Sequence, residues 1–139
     1  MYKKTLFLLT ICVFIFSGLI YAADTDNNQV IVYYFYGDFR CASCHKIEQY
    51  TKNAVKEFFK DALNSGELIF KPVNMDNSEN RYFVDAYQLY TKSVVLSLVK
   101  DGKEVKYKNL PKVWNYLGNK KQFYEYIKSE VTKYLEEEV

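Results

Sequence analysis

The feature that most constrains this chain is a pair of cysteines placed directly after a strand-like run. Gln29 to Tyr36 reads QVIVYYFY, a continuous β-branched and aromatic stretch that is typical of a strand covered on both faces. Gly37 and Asp38 interrupt it. From about Cys41 onward the apolar residues recur at steps of three and four, which predicts a helix. The recurring positions are Ile47, Thr51, Ala54, Val55, Phe58 and Ala62.

The rest of the chain supplies the other elements of an α/β sheet. Asn64-Ser65-Gly66 predicts a glycine cap for the first helix, and Glu67 to Asn74 predicts a strand in which Pro72 indicates an edge position. The later elements are a helical face of Tyr82, Phe83, Ala86, Leu89 and Tyr90, a strand from Val94 to Lys100, a hairpin turn at Asp101-Gly102, a strand from Lys103 to Tyr107, a short helix from Pro111 to Gly118 and a closing helix after Asn119.

This order of elements predicts the fold class. Parallel β-α-β connections, a β-hairpin and a closing helix together form an α/β fold with a four-stranded mixed sheet, β-α-β-α-β-β-α, flanked by helices. Ligand chemistry in such sheets lies at the carboxyl ends of the strands. Cys41 falls at that end of the first strand and at a helix N-terminus.

Length and charge limit the possible functions. A chain of 139 residues with 2 prolines and 5 glycines is expected to form one compact domain. Lys3 and Lys4 account for the whole formal net charge of +2, since every acidic residue follows position 23. The remaining domain is neutral and has no basic field with which to hold nucleic acid, so we expect no nucleic-acid partner.

The first 23 residues have the layout of a secretory signal. A short positive start precedes an apolar run from Leu6 to Ala23 that ends in two alanines. The residues before those alanines are bulky for a cleavage site, and the run reaches the roughly 17–20 residues that span a membrane, so an uncleaved anchor is the alternative. We expect residues 1–23 to be a signal peptide or N-terminal anchor. Residues 24–139 would then be a single exported domain, periplasmic or otherwise extracytoplasmic, attached to a membrane only through that segment.

Cysteine usage indicates chemistry rather than architecture. Cys12 lies inside the apolar run, where a small apolar residue is ordinary, so Cys41 and Cys44 are the only cysteines of the domain. A disulfide that closes so short a loop restricts the unfolded chain little. A structural bridge would normally join distant segments. The pair is therefore predicted to be a redox-active disulfide that needs no other cofactor.

Two metal-containing alternatives use the same residues. Cys41-x-x-Cys44-His45 is also the attachment string of a c-type haem. The strand before the cysteines is unlike a small helical cytochrome, and Met75, the one methionine of the domain, follows a predicted strand rather than lying in a ligand loop. These features favour the dithiol over haem attachment. A zinc site is disfavoured because both cysteines and His45 would crowd three ligands onto one helical turn.

The surroundings of the cysteines favour a thiolate. A helix N-terminus carries partial positive charge and unpaired N–H groups, which stabilise a sulfur anion. Arg40 precedes the first cysteine, and His45 and Lys46 follow the second. In a pair that opens a helix, the first sulfur is exposed and the second lies inward. We therefore predict that Cys41 attacks and Cys44 resolves, with Arg40 tuning Cys41 and guiding a partner. The alternative interpretation of Arg40 is an ordinary surface arginine.

The strand, the Cys-x-x-Cys pair, the helix and the later LVKDGKEV hairpin resemble the thioredoxin superfamily over roughly Gln29 to Leu135. More narrowly, RCASCHKIEQYT and KNLPKVWNYLGNKKQFYEYI resemble a small exported thioredoxin-fold family called ArsF. Its members are described as nitroreductase subunits associated with the reduction of nitrophenyl compounds, in the setting of aromatic arsenical metabolism. The resemblance implies a thioredoxin-like fold and electron transfer to a reductase system outside the cytoplasm.

Two positions depart from ordinary thioredoxins. Val94 stands where they carry a cis-proline that shapes the partner-peptide groove and excludes metals. Phe35 stands where many carry a buried aspartate, six residues before the first cysteine. Glu48, one turn beyond Cys44, is the candidate to accept the proton of Cys44 instead. The alternative interpretation of Glu48 is an ordinary exposed glutamate.

The sequence thus predicts an exported thiol–disulfide oxidoreductase that acts on a redox partner protein. The alternative is a non-catalytic domain that binds a partner or a soft metal or metalloid, such as Cu(I) or As(III), through its two thiols. Tyr33, Tyr34 and Tyr36 are interpreted as sheet packing rather than substrate contacts. Trp114 is interpreted as the anchor of a short helix.

Overall fold

The computed structural model describes residues 28–137, so the predicted signal segment at residues 1–23 lies outside the described residues. The elements in chain order are β1 (Gln29–Tyr36), α1 (Ala42–Phe58), α2 (Lys60–Ser65), β2 (Leu68–Asn74), a 3₁₀ turn (Ser78–Asn80), α3 (Tyr82–Ala86), β3 (Ser93–Lys100), β4 (Lys103–Asn109), α4 (Lys112–Asn115) and α5 (Lys120–Glu136). Within this part of the chain no helix has the length and apolar character needed to cross a membrane.

The four strands form one mixed sheet in the order β2-β1-β3-β4. β1 runs parallel to β2 and antiparallel to β3, and β3 runs antiparallel to β4. Pro72 lies in β2, which is an edge strand as expected from a residue that cannot donate to the ladder. The predicted α/β fold, a four-stranded mixed sheet flanked by helices, is confirmed.

The sheet separates two apolar cores because successive side chains of a strand point to opposite faces. Val30, Val32 and Tyr34 of β1 enter the larger core, to which α1 and α5 also contribute buried residues. Tyr33 and Phe35 enter the smaller core on the α3 side. β1 is therefore covered on both faces, as its continuous apolar sequence predicts.

Local sequence signals for turns and caps are confirmed at three places. Asp101 and Gly102 both have positive φ, 52° and 74°, as the Asp-Gly signal for a two-residue hairpin turn requires. Gly66 ends α2 in the left-handed conformation with φ 84°. Asn119 begins α5, its side-chain oxygen accepting a hydrogen bond from the Gln122 N–H at 3.1 Å.

The helical face predicted from Tyr82 to Tyr90 is wrong beyond Ala86, where α3 ends. Gln88 has φ +51°, and the Leu89 N–H donates to the Val84 carbonyl at 2.9 Å. The chain thus turns sharply to enter β3, burying Leu89 and leaving Tyr90 94% exposed. The spacing of apolar residues in this segment comes from a turn and not from a continuous helix.

The first helix is also interrupted, at Phe59, which has φ −130° and ψ 36°. The Phe59 N–H still donates to the Val55 carbonyl at 3.0 Å, and the Leu63 N–H donates to the Phe59 carbonyl at 3.0 Å. The hydrogen bonds therefore continue across the break. The single helix expected here is a long α1 followed, after the break at Phe59, by a short α2.

Candidate active site at the Cys41–Cys44 pair

The two cysteines occupy the N-terminus of α1, at the carboxyl end of β1. Cys41 is the N-cap residue, in extended conformation with φ −86° and ψ 166°. It forms a disulfide with Cys44, and the two Cα atoms lie 5.1 Å apart. Cys41 is partly exposed, whereas Cys44 is only 1% exposed. The pair therefore has one sulfur-bearing residue near solvent and one in the interior.

Two backbone N–H groups of the first turn of α1 donate hydrogen bonds to Cys41. The Cys44 N–H donates to the Cys41 Sγ at 3.3 Å, and the His45 N–H donates to the Cys41 carbonyl at 3.1 Å. Unpaired amides at a helix N-terminus stabilise negative charge, and a thiolate at Cys41 would gain from this donor. His45 and Lys46 are exposed on the same turn, with the Lys46 Nζ 5.4 Å from the centroid of the Tyr50 ring.

Arg40 and Glu48 form an ion pair beside the cysteines. The Arg40 guanidinium donates to the Glu48 carboxylate and lies over the Tyr36 ring, 4.4 Å from its centroid. Burial alone would lower the pKa of Arg40, but the hydrogen bond and charge of Glu48 raise it overall. The predicted supporting residues Arg40 and Glu48 are thus brought together.

A polar network fixes the loop that leads to Cys41. Asp76, just after β2, accepts a hydrogen bond from the Asp38 N–H at 2.7 Å, and the Asn74 side-chain amide donates to the Asp38 carboxylate at 2.7 Å. A Cβ added at Gly37 would lie 2.6 Å from the Asp76 Oδ2. Any larger residue at position 37 would therefore force the Asp76 side chain to move.

The two positions that depart from thioredoxins are both filled by packing residues. Val94 is fully buried in β3, and its carbonyl accepts from the Leu110 N–H at 2.8 Å. No peptide bond between residues 28 and 137 is cis. Phe35 is fully buried in the smaller core, with its ring centroid 5.1 Å from that of Phe83 and 5.6 Å from that of Tyr87.

Sequence reasoning missed one contact of the site. Tyr34 packs the sheet as predicted and is fully buried, but its hydroxyl also donates to the Cys44 carbonyl at 2.7 Å. Strand alternation places Tyr34 on the face that α1 covers, which is the one sequence signal that could have indicated it. Trp114 also packs against the larger core, and its indole N–H donates to the Lys92 carbonyl at 3.0 Å.

Two further surface features lie on segments close in sequence to the β1–α1 loop or to β3: an exposed aromatic residue and an open cavity whose lining includes neither cysteine. Phe39, two residues before Cys41, is 79% exposed. A cavity of about 400 Å³ lies between Gly37 and the segment that precedes β3, and its lining includes Tyr90, Arg81, Asp85 and Lys92. Across residues 28–137 no group of three or more His, Cys, Asp and Glu side chains is placed to hold a metal ion.

Solved thioredoxin structures are similar to this chain. Thioredoxin-2 of a malaria parasite, described as a component of that parasite's protein secretion machinery, is 20% identical over 59% of this chain and 70% of its own, with a TM-score of 0.37. Thioredoxin f2 of Chlamydomonas reinhardtii is 19% identical over 73% of this chain and 84% of its own, with a TM-score of 0.35. No protein-family model and no curated protein matches the chain. The strand order, the strand directions and the place of the cysteine pair define the fold.

Proposed function

We propose that the protein is an exported thiol–disulfide oxidoreductase in which Cys41 attacks and Cys44 resolves. The observation that carries the proposal is the placement of the disulfide, with Cys41 partly exposed at the N-cap of α1 and Cys44 buried one turn further on. The Cys44 N–H that donates to the Cys41 Sγ at 3.3 Å supports a stabilised Cys41 thiolate after reduction.

The reaction is a pair of thiol–disulfide exchanges. The Cys41 thiolate attacks one sulfur of a partner disulfide, whose S–S bond breaks to leave one partner thiolate and a mixed disulfide on Cys41. Cys44 then loses its proton and attacks the Cys41 Sγ, which releases the second partner thiolate and forms the Cys41–Cys44 disulfide. Two electrons pass from the dithiol to the partner, and the reverse sequence oxidises a partner dithiol.

Two neighbouring side chains assist this exchange in the proposal. Arg40, the residue before Cys41, adds positive charge that favours the thiolate. Glu48 lies one turn beyond Cys44 and is the proposed acceptor of its proton. In the structure the Glu48 carboxylate is paired with Arg40, and this ion pair also holds the Arg40 guanidinium in place.

The partner is proposed to be a redox protein that docks around Cys41. The support for this is the exposed ring of Phe39, which stands two residues before Cys41 in the loop that leads to it. An exposed aromatic residue so close in sequence to the attacking cysteine would contact the docked partner and help hold its disulfide in reach.

The proposals of export and of a role in a reductase system rest on the sequence. The positive start and apolar run of residues 1–23 support export, with cleavage or anchoring at that segment. The resemblance of RCASCHKIEQYT and KNLPKVWNYLGNKKQFYEYI to the ArsF family supports a role as an electron-transfer subunit of a nitro-aromatic or arsenical reductase system. In that role the reductase would be the partner that exchanges electrons with the dithiol.

A second candidate function is binding of a soft metal or metalloid. Val94 replaces the proline that excludes metals from ordinary thioredoxins, and two thiols are suitable ligands for Cu(I) or As(III). A binding protein would take up the ion stoichiometrically and exchange its disulfide slowly. A catalyst would exchange rapidly with a small dithiol or a protein disulfide.

Mixed-disulfide trapping tests the leading proposal. Cys44→Ser should accumulate a covalent complex with a disulfide substrate through Cys41, because no resolving sulfur remains. Cys41→Ser is the matched control and should trap almost none, since Cys44 is buried. Equal trapping by the two variants, or trapping only by Cys41→Ser, would contradict the assigned roles. A wild-type chain that exchanges slowly but binds one Cu(I) or As(III) per dithiol would favour the second candidate.

A further inference from the structure

Tyr34 is the buried side chain of the site to which the proposed function assigns no role. It lies near the end of β1, is fully buried, and donates its hydroxyl to the Cys44 carbonyl at 2.7 Å. The bond links β1, an interior strand of the sheet, to the first turn of α1, ten residues later in the chain. It thus joins the sheet directly to the backbone of the buried cysteine.

The phenol of Tyr34 is held as a neutral donor. Burial raises the pKa of Tyr34, and this outweighs the hydrogen bond and positive charge of Arg40, which lower it. The Tyr36 ring stacks beside the Tyr34 ring with centroids 6.0 Å apart, and the Arg40 guanidinium carbon lies 5.8 Å from the Tyr34 centroid. The hydroxyl hydrogen therefore remains available to the Cys44 carbonyl.

The Cys44 carbonyl lies in the first turn of α1, so the bond from Tyr34 adds to the hydrogen bonding of the helix itself. A carbonyl inside an α-helix already accepts from the amide four residues later, so the hydroxyl of Tyr34 occupies the second lone pair. A donor there partly offsets the negative end of the carbonyl dipole, which lies in the same turn as the two sulfurs. That offset matters more when one of those sulfurs is an anion than when both are in a disulfide.

The two redox forms hold this turn by different means. In the oxidised form the covalent bond between Cys41 and Cys44 fixes the turn whether or not Tyr34 contributes. In the reduced form the covalent link is gone, and the turn depends on its backbone hydrogen bonds and on the Tyr34 hydroxyl. Loss of the hydroxyl should therefore cost the dithiol form more than the disulfide form.

We propose that Tyr34 is a positioning residue that favours the dithiol over the disulfide, by holding the Cys44 end of the first turn of α1 to the sheet. This inference rests on the proposed redox function of Cys41 and Cys44. It assigns Tyr34 no contact with the substrate. Its effect passes through the backbone of Cys44.

The test is the equilibrium of the full chain with reduced and oxidised glutathione. Two glutathione thiols reduce the Cys41–Cys44 disulfide, giving one glutathione disulfide and the protein dithiol. Tyr34→Phe keeps the ring and removes the hydroxyl, and we expect its equilibrium constant for reduction to fall about fivefold, the size of one ordinary hydrogen bond. That fold-change corresponds to a reduction potential about 20 mV more negative.

Tyr36→Phe is the matched control, because it removes a neighbouring hydroxyl of the same strand and keeps the ring beside Arg40. It should leave the equilibrium constant at the wild-type value. A Tyr34→Phe constant equal to that of the wild type, or an equal shift in both variants, would overturn the inference. A wild-type chain that does not equilibrate with glutathione at all would instead refute the proposed function itself.

Urea unfolding of both redox forms provides a second measurement. Tyr34→Phe should reduce the free energy of unfolding more in the dithiol form than in the disulfide form, as the thermodynamic cycle with the redox equilibrium requires. A variant that folds only as the disulfide supports the inference for the same reason. Equal losses in the two forms, including failure to fold in either, would show a merely structural role.

Discussion

Arg40 connects the aromatic end of β1 with α1, the helix that carries the cysteine pair. Its guanidinium lies over the Tyr36 ring and is paired with Glu48, which is itself one turn beyond Cys44. In the proposed reaction, the carboxylate offsets part of the positive charge that Arg40 contributes near Cys41. On this proposal, the effect on the Cys41 thiolate comes from the ion pair and not from the arginine alone.

Substitutions of the two partners should have opposite effects on Cys41. We expect Arg40→Ala to lower the thiolate fraction of Cys41 at neutral pH about threefold, and Glu48→Gln to raise it by a similar factor, as fits a partly exposed ion pair. The pH dependence of Cys41 alkylation in a Cys44→Ser background measures both. Profiles that coincide with the parent, or that move in the same direction, would remove this role for the pair.

At the residue level, sequence indicated the parts of the site that depend on chain order. Cys41, Cys44 and Arg40 follow from their spacing and from their place between a strand and a helix. The bond from Tyr34 to the Cys44 carbonyl could not be predicted in the same way. It depends on how closely α1 packs over β1, and a tyrosine in a strand pattern is explained equally well by packing.

The loop between β1 and α1 is the element that sets where Cys41 lies. It is held through Asp38, whose N–H donates to Asp76 and whose carboxylate accepts from Asn74. Both partners belong to the end of β2 or the residues after it. The cysteine pair is thus positioned by the carboxyl ends of two parallel strands and not by α1 alone.

Gly37→Ala should disturb this loop. The new Cβ would lie 2.6 Å from the Asp76 Oδ2, so Asp76 must move and give up its bond to the Asp38 N–H. We expect a loss of about 1 kcal/mol in the free energy of unfolding, measured in urea. Gly118→Ala is the control, because nothing lies within 4 Å of a Cβ at that position. Equal effects of the two substitutions would show that the close approach is unimportant.

Elements with strong local signals were predictable, and those decided by the tertiary structure were not. The strand pattern of QVIVYYFY, the Asp101-Gly102 turn and the Asn119 cap each act within a few residues. The segment from Tyr82 to Tyr90 has apolar residues at helical spacing, but it must also turn into β3. That requirement ends α3 at Ala86 and leaves Tyr90 in solvent.

At the scale of the whole molecule, an ion pair formed by a buried carboxylate links the last helix to the edge strand β4. Glu130 of α5 is 7% exposed and is paired with Lys108 of β4 at 2.5 Å and with Lys133 at 2.9 Å. Burial alone would raise the pKa of Glu130, but the hydrogen bonds and charges of the two lysines lower it overall. The ionised glutamate therefore stabilises the folded state.

The lowered pKa of Glu130 predicts how the free energy of unfolding depends on pH. A carboxyl group whose pKa is lower in the folded state contributes stability above its unfolded pKa, about 4.3 for glutamate, and this contribution is lost as the pH falls through the folded pKa. Glu130→Gln should therefore be less stable than the wild type at neutral pH. The difference should shrink as the pH falls below about 4. Unfolding in urea across this range measures it, and a difference that is independent of pH would contradict the prediction.

The overall architecture was predictable because each strand and most helices carry their own periodic pattern, and the β-α-β and hairpin connections allow few sheet orders. The ion pair between Glu130 and Lys108 was not predictable, because it joins residues of two elements whose relative placement is defined only in the folded chain. The same limit applies to the pairing of Asp38 with Asp76.

The measurement that tests the central claim most directly is a redox titration of the purified protein, followed by mass and by visible absorbance. We predict a colourless protein whose mass changes by two hydrogens as Cys41 and Cys44 titrate in one two-electron transition. We expect its potential to lie within about −270 to −120 mV, the range of thiol–disulfide oxidoreductases. A disulfide that does not titrate in that range, or a haem-sized mass with a Soret band, would contradict the assignment of Cys41 and Cys44 as a redox dithiol.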